Sequence, residues 1–347
     1  MRFQKSLVSI GIAGALALGM SSHAYAGVYA GSRLDIQGLN ISFTAPGGIE
    51  PGAVTGYTFV SAANATLNGA SGNQNSECGT VAGPACSNVA PVLQATANAP
   101  GGAPVRSAGD FTFFGPGVNQ TYSNSASQIG DATLSTGNPT NATQISEVEI
   151  AGTGTGNSDT KVTSTTAFNF VFTVGTDNAT FDISFFANPN LFSSVNTPGL
   201  ISDAAQSSVS VSFNLSGSHN TQVSWAPNGA VGGVPVSDCD SSAGLTCTEV
   251  SDTQSLNLTR ILGPGNPNSN GYSDTRTGGV DAGLTYFEFK VEGLLAGTYS
   301  LGLTATTAAE AQQITVPEPG IVSLMGIGLI GMGYVGRRKS MESALSA

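Results

Sequence analysis

Charge is scarce in this chain, and positive charge scarcest. Eleven Lys and Arg face 22 Asp and Glu across 347 residues. Arg2, Lys5, Arg337, Arg338 and Lys339 sit at the two ends, so the body between keeps six basic against 20 acidic residues, near −14. That balance cannot neutralise a phosphate backbone and excludes nucleic acid as a partner. Histidine is scarcer still. His23 lies in the leader, and His219 alone remains. One imidazole excludes a multi-histidine metal centre. A Ser-His-Asp triad would have to be built on His219, which stands in the loop-like run Gly217-Ser218-His219-Asn220 and reads as a surface residue. No ten-residue stretch of the body carries helical periodicity, and no fixed-period repeat is present.

Catalytic and cofactor motifs are thin. Ser158-Asp159-Thr160-Lys161 has Ser-x-x-Lys spacing but lies in a Gly/Ser/Thr run instead of a helix. Gly152-Thr153-Gly154-Thr155-Gly156 is not a phosphate loop, because no helix follows and no Lys caps it. Asp182 and Glu288 fall on strand faces opposite the apolar ones. That is the pattern of a solvated sheet face more than of a glycosidase pair. Calcium would find oxygen donors in Asp238, Asp240 and Asp252, or in Asp274 and Asp281, but no EF-hand or nonapeptide repeat organises them. The expectation is a protein that is not an enzyme and holds no cofactor or metal.

What is present concentrates at the ends. Arg2 and Lys5 precede an apolar stretch, residues 7–20, and Ala24-Tyr25-Ala26 gives a small-x-small cleavage site with Gly27 as the first mature residue. This is the layout of a secretory signal peptide over residues 1–26. At the other end Val316-Pro317-Glu318-Pro319 is followed by an uncharged run, 320–336, and then Arg337, Arg338 and Lys339. As a helix that run is about 25 Å long, at the short limit for crossing a hydrocarbon core of ~30 Å. It has no polar face, which disfavours a buried core helix, and its basic cluster marks the cytoplasmic side. Residues 305–315 read as a linker and 340–347 as a short cytoplasmic extension.

The tripartite order over residues 316–339 resembles the PEP-CTERM sorting tail of exported proteins of Gram-negative bacteria. The resemblance implies recognition of Pro317-Glu318-Pro319 by an exosortase and a transient stay in the inner membrane. Cutting near the motif would then release the protein or pass it to the cell surface or extracellular matrix. The body is loosely similar to the EDSAP-type subgroup through residues 29–43, through 168–191 with its Phe-Ala-Asn-Pro-Asn-Leu end, through Trp225-Ala226-Pro227-Asn228-Gly229 and through Leu295-Ala296-Gly297-Thr298-Tyr299. That likeness implies a surface location and adds no chemistry.

The body, 27–304, reads as all-β. Cys78 and Cys86 are eight apart, as are Cys239 and Cys247. In an exported chain such local pairs point to two loop disulfides, since thiolate metal sites space their ligands more closely and no His lies near. Cross-pairing between the loops stays open. Alternation marks strands at 34–43 (with a bulge at Gly38), 57–60, 111–114, 147–150, 209–215, 223–225 and 286–291. Phe168, Phe170, Phe172 and Val174, a turn at 175–178, and Phe181, Ile183 and Phe185 read as a hairpin with an aromatic inner face. That face is expected to be core more than a sugar-stacking platform. Residues 61–105 read as a long loop, and 120–165, dense in Ser and Thr, as a flexible insertion able to carry O-glycans. Leu295 to Tyr299 resembles the corner of many bacterial β-sandwiches, where a Tyr hydroxyl bonds back to the loop backbone. The expected fold is an antiparallel β-sandwich, Ig-like or jelly-roll, with long loops. The expected role is structural or adhesive, at the cell surface or in the polysaccharide matrix. The alternative is a carbohydrate-binding module that uses exposed aromatics such as Trp225, Tyr272 or Tyr286.

Overall fold

The computed structural model describes residues 27–46, 54–67, 70–79, 93–98, 104–107, 109–115, 121–133, 139–151, 158–195, 203–229, 238–239, 244–263, 273–274 and 283–313. The readings that fall on 1–26 and 314–347 lie outside these residues. They comprise Ala24, Ala26, the Val316-Pro317-Glu318-Pro319 motif, the 320–336 helix and the Arg337-Arg338-Lys339 stop. Cys86 and Tyr272 lie outside them too. Gly27 leads directly into the first strand.

Two eight-stranded antiparallel sheets make a sandwich. The chain between Ala26 and Ile314 forms one unit. The first sheet runs β12 (Thr246–Asp252), β15 (Thr285–Leu294), β8 (Ala179–Val195), β1 (Val28–Thr44), β6 (Pro139–Ile150), β5 (Tyr122–Thr133), β4 (Leu93–Asn98), with β14 (Ser273–Asp274) also on β8. The second runs β11 (Asp238–Cys239), β10 (Gln222–Trp225), β9 (Ala204–Gly217), β16 (Gly297–Gln313), β7 (Ser158–Val174), β2 (Val54–Leu67), β3 (Ala70–Gly79), with β13 (Leu258–Leu262) also on β9. The rest of the described body is turns, one 3-10 turn at Ser218–Asn220, and an irregular segment around residues 104–115. Among the described residues no helix is long and apolar enough to cross a membrane.

The four longest strands, β1, β7, β8 and β16, have 17 residues each and lie inside the sheets. At ~3.3 Å per residue each spans about 55 Å. Their composition changes midway. In one half the inner faces carry Phe and Leu. Phe172 stacks on Phe181 across the sheets at 5.4 Å, and Phe43 packs on both. Trp225 stacks between Phe213 and Phe289, each 4.9 Å away. Tyr299 donates its hydroxyl to Leu295 O at 2.7 Å, the corner bond expected from its sequence. The bulge on β1 also stands where expected. The β1–β8 register slips between Gln37 and Asn40, and Gly38 supplies a φ of +62°.

The Phe-rich segments β7 and β8 do not form a hairpin. β7 pairs with β2 and β16, and β8 with β1 and β15, so the turn at 175–178 arches from one sheet to the other. Period-2 alternation fixes which face is apolar but not which strand is the partner. Two adjacent strands with apolar faces bury them equally well by facing each other as by lying side by side.

The other half is lined by small and hydroxylated residues. Ala30, Ala63, Ala65, Ala205, Ala309 and Ala311 cluster with Val28, Val148, Ile150 and Val195. Hydroxyls cross the gap between the sheets. Ser32 donates to Ala308 O at 2.9 Å, Ser125 to Asn64 O at 3.2 Å, and Ser146 to Thr307 O at 3.0 Å. Ser193 pairs with Ser207 at 3.0 Å, and Ser61 with Ser127. A serine that reaches the opposite backbone brings the sheets well inside the ~10 Å of ordinary face-to-face packing.

This narrow half corrects several expectations. The 61–105 stretch is not one long loop, since β2 runs to Leu67 and β3 and β4 follow. The 120–165 stretch is not a flexible insertion, since β5 and β6 occupy it and Ser123, Ser125, Ser127 and Ser146 are buried. Those serines are not exposed for glycosylation. The 305–315 linker is strand through Gln313. The 111–114 stretch is irregular and not a strand. Along β5 and β6, hydroxyls bonded across the gap stand where a strand ordinarily shows large apolar residues.

If the narrow gap sets the packing, adding apolar bulk should hurt. Ser146→Leu is expected to lower the unfolding free energy by about 1–3 kcal/mol through overpacking, although it raises hydrophobicity. Urea denaturation checks this, and a stabilised variant would refute the close approach.

Candidate functional site

The first sheet turns its outer face to two different environments. Over β6, β5 and the Tyr29–Gly31 part of β1 it is covered by the strap formed by residues 104–107 and 109–115. Arg106 is the plug of this strap. Its guanidinium donates to Glu147, to the Thr112 carbonyl and, at 3.0 Å, to Asn124 Oδ1, and it lies 4.1 Å over the Phe114 ring. Glu147 also accepts from the Tyr29 hydroxyl and, at 3.0 Å, from the Gly115 amide. Both side chains of the ion pair are buried. Burial pushes the Glu147 carboxyl up, and Arg106, Tyr29 and the Gly115 amide oppose that shift. Phe111 packs on Ala126 and Ile145, and Phe113 lies over Gly31, where a Cβ would come within 2.8 Å of the ring. Nothing in the sequence singled out Arg106. Glu147 stood in a recognised strand, but on a face that reads as solvated.

Over β8, β15 and β12 the outer face is open. Here Asp182 and Glu288 come together on the solvated face, with Lys290 between them. Its Nζ lies 3.4 Å from Asp182 and 2.8 Å from Glu288. Partial burial and the charge of Glu288 hold the Asp182 carboxyl above its ordinary range. The hydrogen bond from Lys290 holds Glu288 below its own. The Tyr286 hydroxyl donates to Glu288 Oε2 at 2.9 Å. Beside it, Phe186 lies 5.2 Å from the Tyr286 ring, and the two are 42% and 38% exposed. Neighbouring strands set this cluster. Phe186 is registered to Tyr286 on one side and to Gln37 on the other, and Asp182 to Lys290 and Ser42.

Trp225 is not an exposed aromatic. It is 2% exposed in the wide core, and its indole N–H donates to Glu249 at 2.6 Å. A tryptophan before a Pro-Asn-Gly turn looks surface-bound in sequence, but its strand face points to the core. Asp252 is buried and accepts the backbone N–H groups of Asn228 and Gly229, so it ties a turn together instead of offering itself to calcium. The side chains of Asp238, Asp240, Asp274 and Asp281 lie outside the described residues. Among the described residues no three His, Cys, Asp or Glu gather into a metal-holding group. His219 is exposed, with Nε2 3.0 Å from Ala296 O. Cys239 and Cys247 are disulfide-bonded, with Cα atoms 6.1 Å apart. The bond closes the local loop expected from the spacing and, because it joins edge strand β11 of one sheet to edge strand β12 of the other, also staples the sheets together. Cys78 lies on β3, the edge strand on the opposite side.

Residues 315–339 match the family model described as the PEP-CTERM protein-sorting motif. The chain carries this exosortase sorting signal. The PEP-CTERM tail marks the protein as exported, membrane-transiting and associated with the cell surface, and it implies recognition by an exosortase. The match covers the tail and does not extend to the body, where the EDSAP-type likeness lies. No curated protein matches the chain, and no solved structure does.

Two expectations follow. Arg106→Ala is expected to cost about 3–5 kcal/mol in urea unfolding by stranding a buried carboxylate, and Arg106→Met with Glu147→Leu should recover most of it. A single-variant cost below ~1 kcal/mol, the range of an exposed pair, would show that the strap is not anchored there. On the open face, carboxyl NMR should find the Glu288 midpoint raised by Lys290→Met and the Asp182 midpoint lowered by Glu288→Gln. Unmoved midpoints would mean the three groups do not interact in solution.

Proposed function

We propose that this chain is a structural or adhesive protein of the cell surface or extracellular polysaccharide matrix, acting by display and not by catalysis. In this reading the signal peptide exports it, the 320–336 helix holds it in the inner membrane, and an exosortase acts at Pro317-Glu318-Pro319. The observation that carries the reading is the sorting motif itself. The body agrees with it. β16 ends at Gln313 and the motif match begins at 315, so one residue separates a central strand from the signal. β1 begins at Val28, one residue after the expected mature N-terminus. Val28 and Ala30 share a cluster with Ala309 and Ala311, so both ends of the body leave from the narrow end of the sandwich. The wide end is the one free to be presented.

A second reading, a carbohydrate-binding module for matrix polysaccharide, is favoured by the exposed Phe186–Tyr286 pair.

Intact mass of the protein recovered from the native host's surface or medium tests the first reading. The expected species begins at Gly27 and ends near Pro317–Pro319. Replacing Pro317-Glu318-Pro319 with alanines should leave the full tail attached and the protein in the inner membrane. A released wild-type species that retains residues 320–347 would refute exosortase processing.

A further inference from the structure

We propose that the open outer face of the first sheet, centred on Phe186 and Tyr286, binds a neutral polysaccharide chain. This rests on the carbohydrate-binding reading and names its site and ligand class. Two aromatic rings side by side on a sheet surface, each more than a third exposed, present the apolar faces on which a pyranose ring packs. Isolated exposed apolar residues are ordinary, but this pair is set in a field of hydrogen-bonding groups. Gln37, Asn40 and Ser42 of β1, Ser184 of β8, Glu288 and Lys290 of β15, and Thr248 and Ser251 of β12 face the same side by register. Amides, hydroxyls and carboxylates flanking a stacking surface are the partners that sugar hydroxyls require.

The geometry selects a chain. The face is an open surface four strands wide, about 14 Å at ~4.8 Å per interval. Among the described residues it has no walls to enclose a single sugar, so affinity must accumulate along a polymer. The charge selects a neutral one. Asp182 and Glu288 outnumber Lys290, within a body near −14, and repel polyanions. The site is also set before binding. Lys290 ties both carboxylates, and the Tyr286 hydroxyl is bonded to Glu288, so little side-chain freedom is left to lose. The rings are level with Gln37, midway along β1, away from the end where Val28 and Gln313 leave.

Affinity electrophoresis of the processed protein in native gels tests the proposal. The gels hold hydroxyethylcellulose, dextran or mannan as neutral probes, and alginate as the polyanion. At least one neutral probe is expected to retard the protein. Phe186→Ala with Tyr286→Ala should weaken that retardation about tenfold or more in Kd. Tyr286→Phe, which keeps the ring, should stay within about threefold, well under that 1.4 kcal/mol step. Ile261→Ala, an exposed apolar residue on the second sheet, should change nothing. Urea midpoints confirm that each variant is folded, and single Tyr286→Ala stands in if the double variant is not. Retardation that survives loss of both rings would leave the carbohydrate reading standing and overturn this site. Retardation by alginate alone would overturn the neutral assignment. No retardation by any probe would overturn the site and the carbohydrate reading together, and would leave the sorting reading to its own mass test.

Discussion

Hydrogen bonds from short side chains across the gap between the sheets are the constraint on which half of this sandwich depends. A serine hydroxyl buried without a partner costs about 1–3 kcal/mol. Ser32, Ser125, Ser146 and Ser193 escape that cost only because the opposite sheet is close enough to answer them. The closeness in turn requires Ala, Gly and Ser at the facing positions. Ala308 and Asn64 are addressed through backbone carbonyls, which any residue supplies, but the residues between must stay small. The central strands therefore change composition together. β1, β9 and β16 pass from Phe and Leu to Ala, Ser and Thr at the end where Val28 and Ala311 meet. A single strand that kept large residues would wedge the sheets apart and break its neighbours' bonds.

A narrow half buries less apolar surface, and at roughly 25 cal/mol per Å² that is a real loss of driving force. The strap offsets part of it by adding a third layer. Phe111, Phe113 and Phe114 cover the outer face of β1, β5 and β6 over this same half. The strap's one cation is taken fully out of water, which is tolerable because four groups answer it: Glu147, Asn124, the Thr112 carbonyl and the Phe114 ring. Buried ion pairs are seldom net stabilisers, but this one fixes where an irregular segment sits on a flat sheet, which apolar contact alone would leave free to slide. The disulfide does comparable work at the other side, where among the described strands β11 and β12 are the edges of their sheets.

The wide half was legible in the sequence and the narrow half was not. Phe168 to Val174, Phe181 to Phe185, Val209 to Leu215 and Phe287 to Val291 announce themselves because each alternates large apolar residues with polar ones. Gly38 and Tyr299 were legible because their roles depend on local chain geometry. Pairing was not legible, and the arch between β7 and β8 shows why. Alternation records which face is buried but carries no record of the neighbour. The segments Ala204–Ser208 and Thr304–Gln313 have no apolar period at all. Composition there is that of a loop, and only the answering hydroxyls and carbonyls of a distant segment make them strands. The open-face cluster was half legible. Asp182, Glu288 and Tyr286 follow from alternation, whereas Phe186 sits out of phase with its Phe neighbours and gains meaning only from its register to Tyr286.

The place of β16 joins the fold to the sorting signal. Among the described strands of the second sheet, β16 is the sole link between the group of β9, β10, β11 and β13 and the group of β7, β2 and β3. Until residues 297–313 arrive, that sheet is two separate pieces, and the first sheet has no complete surface to pack against. β16 is also the last strand before the PEP-CTERM motif, with one residue between them. Non-local pairing of this kind closes late, because the loop entropy must be met before the contacts reward it. An N-terminal sorting signal would be available while the body was still two pieces. A signal that directly follows β16 becomes available only when the strand that unites them has been delivered. The order of the chain thus places the strand that closes the sandwich ahead of the sorting motif.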